Sequence, residues 1–208
     1  MLKKNKGLMI LTSVIILLPM AAGLLLWNQL PETMAIHWNS HGVADGWASR
    51  PVVVFGLPLF LLGIHFACIW GTNLDQRNRN QNEKMKQIAL WMAPVTSLLG
   101  NGCVYVIAMG QEMNIVRYAA LMVGMIFILV GNYLPKCKQN YTIGIKVKWT
   151  LESEENWYAT HRLAGKVWTA CGLGILLCGL FSVVSPLPLL FLIMVIVPVV
   201  YSWRYSKR

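Results

Sequence analysis

Acidic residues are scarce: Asp and Glu number eight in 208 residues, and all charged residues make up only 12% against 56% hydrophobic. A soluble domain carries about 25% charged residues, so this chain lacks the polar material to coat a globule in water. Disorder is excluded by the same balance, because too much apolar surface demands burial. Enzyme signatures are missing too. There is no His-Glu-x-x-His, no Gly-x-Ser-x-Gly, no phosphate-binding Gly-Lys-Ser/Thr loop and no Asp pair inside an apolar run. No catalytic activity, cofactor or metal is therefore expected. The five cysteines give no disulfide framework, since Cys68, Cys103, Cys171 and Cys178 fall in apolar runs and Cys137 in a basic loop.

What the chain has is long apolar runs. About 20 residues of helix cross a hydrocarbon core, and six stretches reach or approach that length: 8–27, 51–71, 88–109, 118–134, 166–184 and 187–203. None contains Asp, Glu or Arg, and Lys166 stands at the end of its run, where its ammonium can snorkel to the headgroups. Lipid cannot satisfy open backbone, so helices are the natural spanning element, and the period-2 alternation of a barrel is absent. The sequence thus predicts an all-α integral membrane protein, a six-helix bundle with a small folded extracellular loop. Pro19, Pro58, Pro94 and Pro198 are expected to kink their helices rather than end them. The first run, after Lys3, Lys4 and Lys6, reads as an uncleaved anchor, because no small-residue cleavage site follows it. Three blocks result: 1–71 with the first two spans and the loop 28–50, 72–134 with spans three and four, and 135–208 with a cytoplasmic loop and spans five and six.

Orientation follows from the basic residues. With both termini in the cytoplasm, sixteen Lys and Arg lie inside and only Arg50 and Arg117 outside. The net charge of +10 is then a topogenic signal and an attraction to anionic membrane lipid. No nucleic-acid module accompanies it, so direct nucleic-acid binding is not expected.

The loop 28–50 carries Asn39-Ser40-His41-Gly42 and Asp45-Gly46, both of which suit turns. The stretch 34–38 before them reads as a short strand, and Trp27, Trp38 and Trp47 suit the lipid–water interface. His37, His41 and Asp45 are spaced four apart. On a helix they would form one zinc-ligand face, but Asn39, Ser40 and Gly42 argue for a hydrogen-bonded turn instead. His37, Trp38, Asn39, His41, Asp45 and Trp47 are the candidates for meeting a partner from outside. The second loop, 72–87, reads as a solvated connection. In the third, residues 140–151 mix β-branched and aromatic residues and suggest an extended piece with turns. Ser153 makes an N-cap for a helix that starts with Glu154 and Glu155 and runs unbroken into span five. Trp157, His161, Ala164 and Trp168 recur on one face of that helix, expected to pack against the ends of neighbouring spans. Ala170, Gly174 and Cys178 form a small-residue stripe for close helix packing. His65, Asn101 and Asn132 are the polar side chains at membrane depth, functional candidates by default and interhelical hydrogen-bonding residues otherwise.

Leu30-Pro31, Ile36-His37-Trp38-Asn39, Gly42 and Asp45-Gly46 resemble the outer-loop domain of bacterial SdpI-type membrane proteins. Gly131-Asn132-Tyr133, Asn140-Tyr141, Gly144-Ile145-Lys146, Trp149-Thr150-Leu151, Trp157 and Thr160-His161-Arg162-Leu163-Ala164-Gly165-Lys166 resemble that family's second signature. The resemblance covers most of the chain in order. It implies immunity against a secreted peptide or protein toxin of the SdpC kind. In the best-known member it also implies signalling, with a cytosolic repressor held at the membrane. It marks Asn140, Gly144, Lys146, Lys148, Trp149, Thr150, Trp157, His161 and Arg162 as a cytoplasmic signature face. One departure is visible: the family's usual Arg-Thr-Pro is Lys146-Val147-Lys148 here, and Lys offers a point charge where Arg offers a bidentate fork. Two other classes remain open. A transporter or efflux component for small amphipathic molecules would line a cavity with His65, Thr96, Asn101 and Tyr105. A scaffold would gather a cytosolic partner on Lys146 and Lys148.

Overall fold

The structure, a computed structural model, describes residues 5–77 and 81–208. Lys3, Lys4 and Arg79, three of the inside basic residues, lie outside that set. Among the described residues six helices are long and apolar enough to cross a membrane: α1 (Lys6–Leu25), α2 (Leu57–Leu74, entered through one π-helical turn at Val52–Gly56), α3 (Glu83–Ala108), α4 (Ile115–Tyr133), α6 (Glu154–Phe181) and α7 (Leu187–Tyr205). Between them lie a hairpin, β1 (Thr33–Trp38) with β2 (Ala44–Ser49), and a short helix α5 (Lys148–Glu152). Pro19, Pro94 and Pro198 sit inside helices. Each of the six apolar runs therefore becomes one helix, and the chain is a six-helix membrane protein.

Packing divides the chain into two units, Met1–Asn73 with Gln87–Ile115, and Leu74–Lys86 with Val116–Arg208. In the first, α1 is the hub and its buried face is Thr12, Ile16, Pro19 and Gly23. His65 Nε2 of α2 lies 3.0 Å from Thr12 Oγ1, Ser97 of α3 donates to Ile16 O, and Tyr105 donates to Pro19 O. These are helix-to-helix bonds of a kind worth roughly 1 kcal/mol each in a membrane. Above them Leu30, Met34, Val53, Val54, Val104 and Tyr105 form the apolar core on which the hairpin sits.

In the second unit the seam between α4 and α6 is made of glycine. A Cβ on Gly124 would meet Gly172 O at 2.9 Å, one on Gly131 would meet Thr169 N at 2.7 Å, and one on Gly179 would meet Leu121 N at 3.0 Å. Gly165, Gly172 and Gly179 thus repeat every seven residues along the contact, the heptad spacing that keeps one face of a helix on its neighbour. Of the stripe Ala170, Gly174 and Cys178, Gly174 packs closely on Leu190 of α7 and Cys178 is partly buried, whereas Ala170 is exposed. Helix α6 is held to α7 by Trp168, whose indole donates to Met194 O, and by Asn156, whose amide donates to Ser202 O while its oxygen accepts from Ser202 Oγ.

Candidate functional site

The hairpin of the first unit is placed by Arg50. Its guanidinium donates to Trp27 O and Leu30 O, the carbonyls left open beyond α1, and stacks over the Trp27 ring at 4.8 Å. A cation at a helix C-terminus is favourably placed, so this residue fixes the angle at which the hairpin leaves the bundle. The reversal is built by Asn39, whose side-chain oxygen accepts from His41 N and Val43 N, with Gly42 at φ 77° where an L-residue would be strained. The expected strand is β1. The Asp45-Gly46 turn is a correction: both residues lie inside β2, where Gly46 faces His37 so closely that a Cβ would meet His37 Cβ at 2.8 Å. That leaves room for His37 Nδ1 to reach Asp45 Oδ1 at 2.5 Å, with both side chains largely in the open (71% and 43% exposed). His41 stands apart from this pair in its bonding. Trp38 packs on the core cluster, whereas Trp47 is 61% exposed. Two participants escaped the sequence reading, Val43 (60% exposed) on the surface and Arg50 beneath it.

In the second unit the segment 137–152 folds onto the start of α6. Asn140 is completely buried and staples a tight turn: its amide donates to Lys138 O (2.7 Å) and Ile143 O (2.9 Å), and its oxygen accepts from Thr142 N (2.8 Å) and Ile143 N (2.6 Å). Trp157 donates from its indole to Cys137 O and stacks on His161 at 4.0 Å. His161 accepts from Ile145 N at Nε2 and contacts Trp157 O through Nδ1. A backbone N–H can only donate and a carbonyl can only accept, so the ring is neutral with its proton on Nδ1. Gly144 passes over this ring at φ 117°, where a Cβ would strike the imidazole. Thr150 closes the loop by donating to Ile145 O and Val147 O and accepting from Val147 N. Burial in this cluster pushes the Cys137 thiol up to about 11.

Two expectations change here. Lys148–Glu152 is a turn of helix, not extended chain, because Thr150 caps Val147 and lets the backbone curl. The loop 72–87 is only partly solvated where it is described: Gln76, Arg77 and Lys84 are exposed, but Asp75, Gln81 and Lys86 are buried. The Asp75 carboxylate accepts from Tyr141 N and Thr142 Oγ1, and the Gln81 amide both donates to Lys138 O and accepts from Lys138 N. Arg77 adds bonds to Gln139 Oε1 and Leu151 O and lies over the Tyr141 ring. The face of Trp157 and His161 correspondingly meets the loop rather than only the ends of other spans. The one hint in the sequence was an Asp, an Arg and a Gln crowded into a short connection between two spans. Ser153 caps α6 as expected, accepting from Asn156 N.

Of the remaining signature residues, Lys146 donates to Thr142 O from an exposed position, and Lys148 and Arg162 are exposed. Trp149 is half-buried, its Nε1 lacking a partner among the described residues. At membrane depth His65 and Tyr105 bond to α1. Asn101 donates within its own helix to Ser97 O, with Oδ1 buried and without a partner among the described residues, and Asn132 is exposed.

Residues 136–202 match the SdpI/YfhL protein family, and residues 14–62 match a domain of unknown function (DUF1648). The first stretch holds the 137–152 loop, α6 and most of α7, and the second holds the hairpin with the later part of α1 and the first residues of α2. End to end, the chain is 26% identical over 215 residues to Immunity protein SdpI of Bacillus subtilis (strain 168), an alignment covering 100% of this chain and 98% of that relative. No solved structure matches the chain.

Proposed function

Because the chain carries an SdpI/YfhL family segment at 136–202 and aligns along its whole length with an immunity protein, we propose that it is a multi-pass membrane protein protecting its cell against a secreted toxin. The observation that carries this reading is the end-to-end alignment: it takes in both the hairpin and the buried loop, not merely a shared set of apolar helices. The charge asymmetry of the loops supports an inside location for both termini and for the 137–152 segment, which leaves the hairpin outside. There, His37, His41, Asp45 and Trp47, joined by Val43, form the surface that a toxin arriving from outside meets first. Trp38 and Asn39 shape it from beneath.

The inner loop fits a second role of the same protein. Its exposed Lys146, Lys148 and Arg162 surround a rigid buried core, and a cavity of about 440 Å³ opens between α5 and the last turn of α7. A cytosolic repressor held at the membrane would meet this face. A partner held there in one state only must gain contacts in that state that it lacks in the other.

The test is survival. A toxin-sensitive strain expressing the full chain is exposed to concentrated culture supernatant of the source organism. Protection, absent from the same strain with empty vector, is the expected result. Equal killing of both strains sinks the immunity reading.

A further inference from the structure

The hairpin is a two-stranded sheet, so each strand has one edge without a strand partner among the described residues. The two edges differ. β1 carries Met34 and Ala35, both buried, and has one extra residue at Ile36, while β2 has one at Asp45, between the pairs His37↔Gly46 and Trp38↔Ala44. β2 is the outward strand: Asp45, Trp47 and Ser49 are exposed in alternation. The pairing decides which main-chain groups of β2 point away from β1. Arg50 N donates to Glu32 O at 2.8 Å, and these two residues continue the register Thr33↔Ser49, Met34↔Ala48, Ala35↔Trp47. In an antiparallel ladder, bonded and non-bonded pairs alternate. With Glu32 and Arg50 a bonded pair, Met34 and Ala48 are the next, and the N–H and C=O groups of Trp47 and Ser49 face outward, unclaimed by β1.

Edges of this kind are normally blunted with Lys, Pro or a bulge, because they template the pairing of another chain. Ala44–Ser49 contains no Lys and no Pro, and its bulge at Asp45 leaves the stretch 47–49 in regular register. Its exposed side chains are apolar at Val43 and Trp47 and acidic at Asp45, whose carboxylate also holds His37 Nδ1. The nearby cation, Arg50, is spent on Trp27 O and Leu30 O. In a chain of net charge +10, this is a small acidic and aromatic edge.

We infer that the outer edge of β2 receives an extended, basic and apolar segment of the toxin as a third strand. Main-chain bonds to Trp47 and Ser49 supply register, Val43 and Trp47 supply apolar contact, and Asp45 selects the basic residue. Strand addition of this type draws affinity from backbone bonds and specificity from alternate side chains. The inference rests on the immunity reading and adds the mode of capture.

Ser49→Pro tests it, with Ser49→Ala as control. Proline at an edge position whose N–H faces outward leaves the existing ladder intact but removes one donor and blocks the approach of a new strand. Both variants are expressed as full chains and checked for wild-type membrane level and circular dichroism. The expected result is protection by Ser49→Ala equal to wild type, and at least tenfold greater sensitivity of Ser49→Pro cells to the culture supernatant. Hydrogen exchange on wild-type protein in nanodiscs gives a second measure: the supernatant's toxin fraction slows the Trp47 and Ser49 amides and leaves Ala48 unchanged. Full protection by a normally folded Ser49→Pro chain, or unslowed exchange at 47 and 49 when wild type protects, overturns strand addition while immunity stands. Loss of a cross-linked dimer in Ser49→Pro membranes assigns the edge to a second copy and overturns it equally. Failure of the wild-type chain to protect strikes the immunity reading itself.

Discussion

The hairpin and the 137–152 loop are similar in length and polarity, and the protein treats their polar groups in opposite ways. In the loop, side-chain amides and a carboxylate are withdrawn from solvent and spent on backbone: Asn140, Gln81, Asp75 and Thr150 each bond main-chain groups of residues 138–147. In the hairpin the corresponding pair, His37 with Asp45, stays in the open, and backbone on one edge is left unused. Buried and satisfied polar groups fix one conformation because each would be costly to leave unpaired. Exposed ones cost little to rearrange and are available to a partner. The loop is therefore a scaffold and the hairpin a surface.

That contrast predicts a graded set of effects. Asn140→Leu removes the acceptor of Thr142 N and Ile143 N and one donor each from Lys138 O and Ile143 O in a buried turn, and the expected loss is about 2–4 kcal/mol, read as a lowered denaturation midpoint in detergent micelles. Cys137, buried and with its thiol held up to about 11, should show a thiolate fraction roughly a hundredfold below that of an ordinary cysteine at pH 7.5. N-ethylmaleimide with mass spectrometry should find it unmodified in the folded protein and labelled after unfolding in SDS. Trp157→Phe keeps the stack on His161 but orphans Cys137 O, for about 1–2 kcal/mol. Asp45→Ala removes an exposed pair and should change stability by less than about 1 kcal/mol, while raising toxin sensitivity. An Asp45→Ala loss as large as that of Asn140→Leu would erase the distinction between the two regions.

The six spans were legible because hydropathy over about 20 residues needs no tertiary information. Ser153 was legible for a similar reason, since an N-cap is a local bond. β2 was not: Ala44–Ser49 has no β-branched residue, and its Asp-Gly step imitates a turn, so only pairing with β1 reveals it as strand. Polarity misled at Asp75 and Gln81, where the water expected around them is replaced by backbone from a segment more than fifty residues away. The glycine seam was visible as Gly165, Gly172 and Gly179, but a four-residue period drew attention to Ala170 and Gly174 instead. The hairpin candidates His37, Asp45 and Trp47 emerge exposed. Trp38 and Asn39, equally conspicuous in the sequence, serve the fold.

The account depends on the two regions lying on opposite sides of a membrane, and cysteine labelling measures this directly. In a chain with its five native cysteines replaced, single cysteines are placed at Ser40 in the hairpin reversal and at Lys146 in the loop, and intact cells are treated with a membrane-impermeant maleimide. The account predicts labelling at position 40 in intact cells, and at position 146 only after the membrane is permeabilised. Labelling at 146 with none at 40 in intact cells would contradict it.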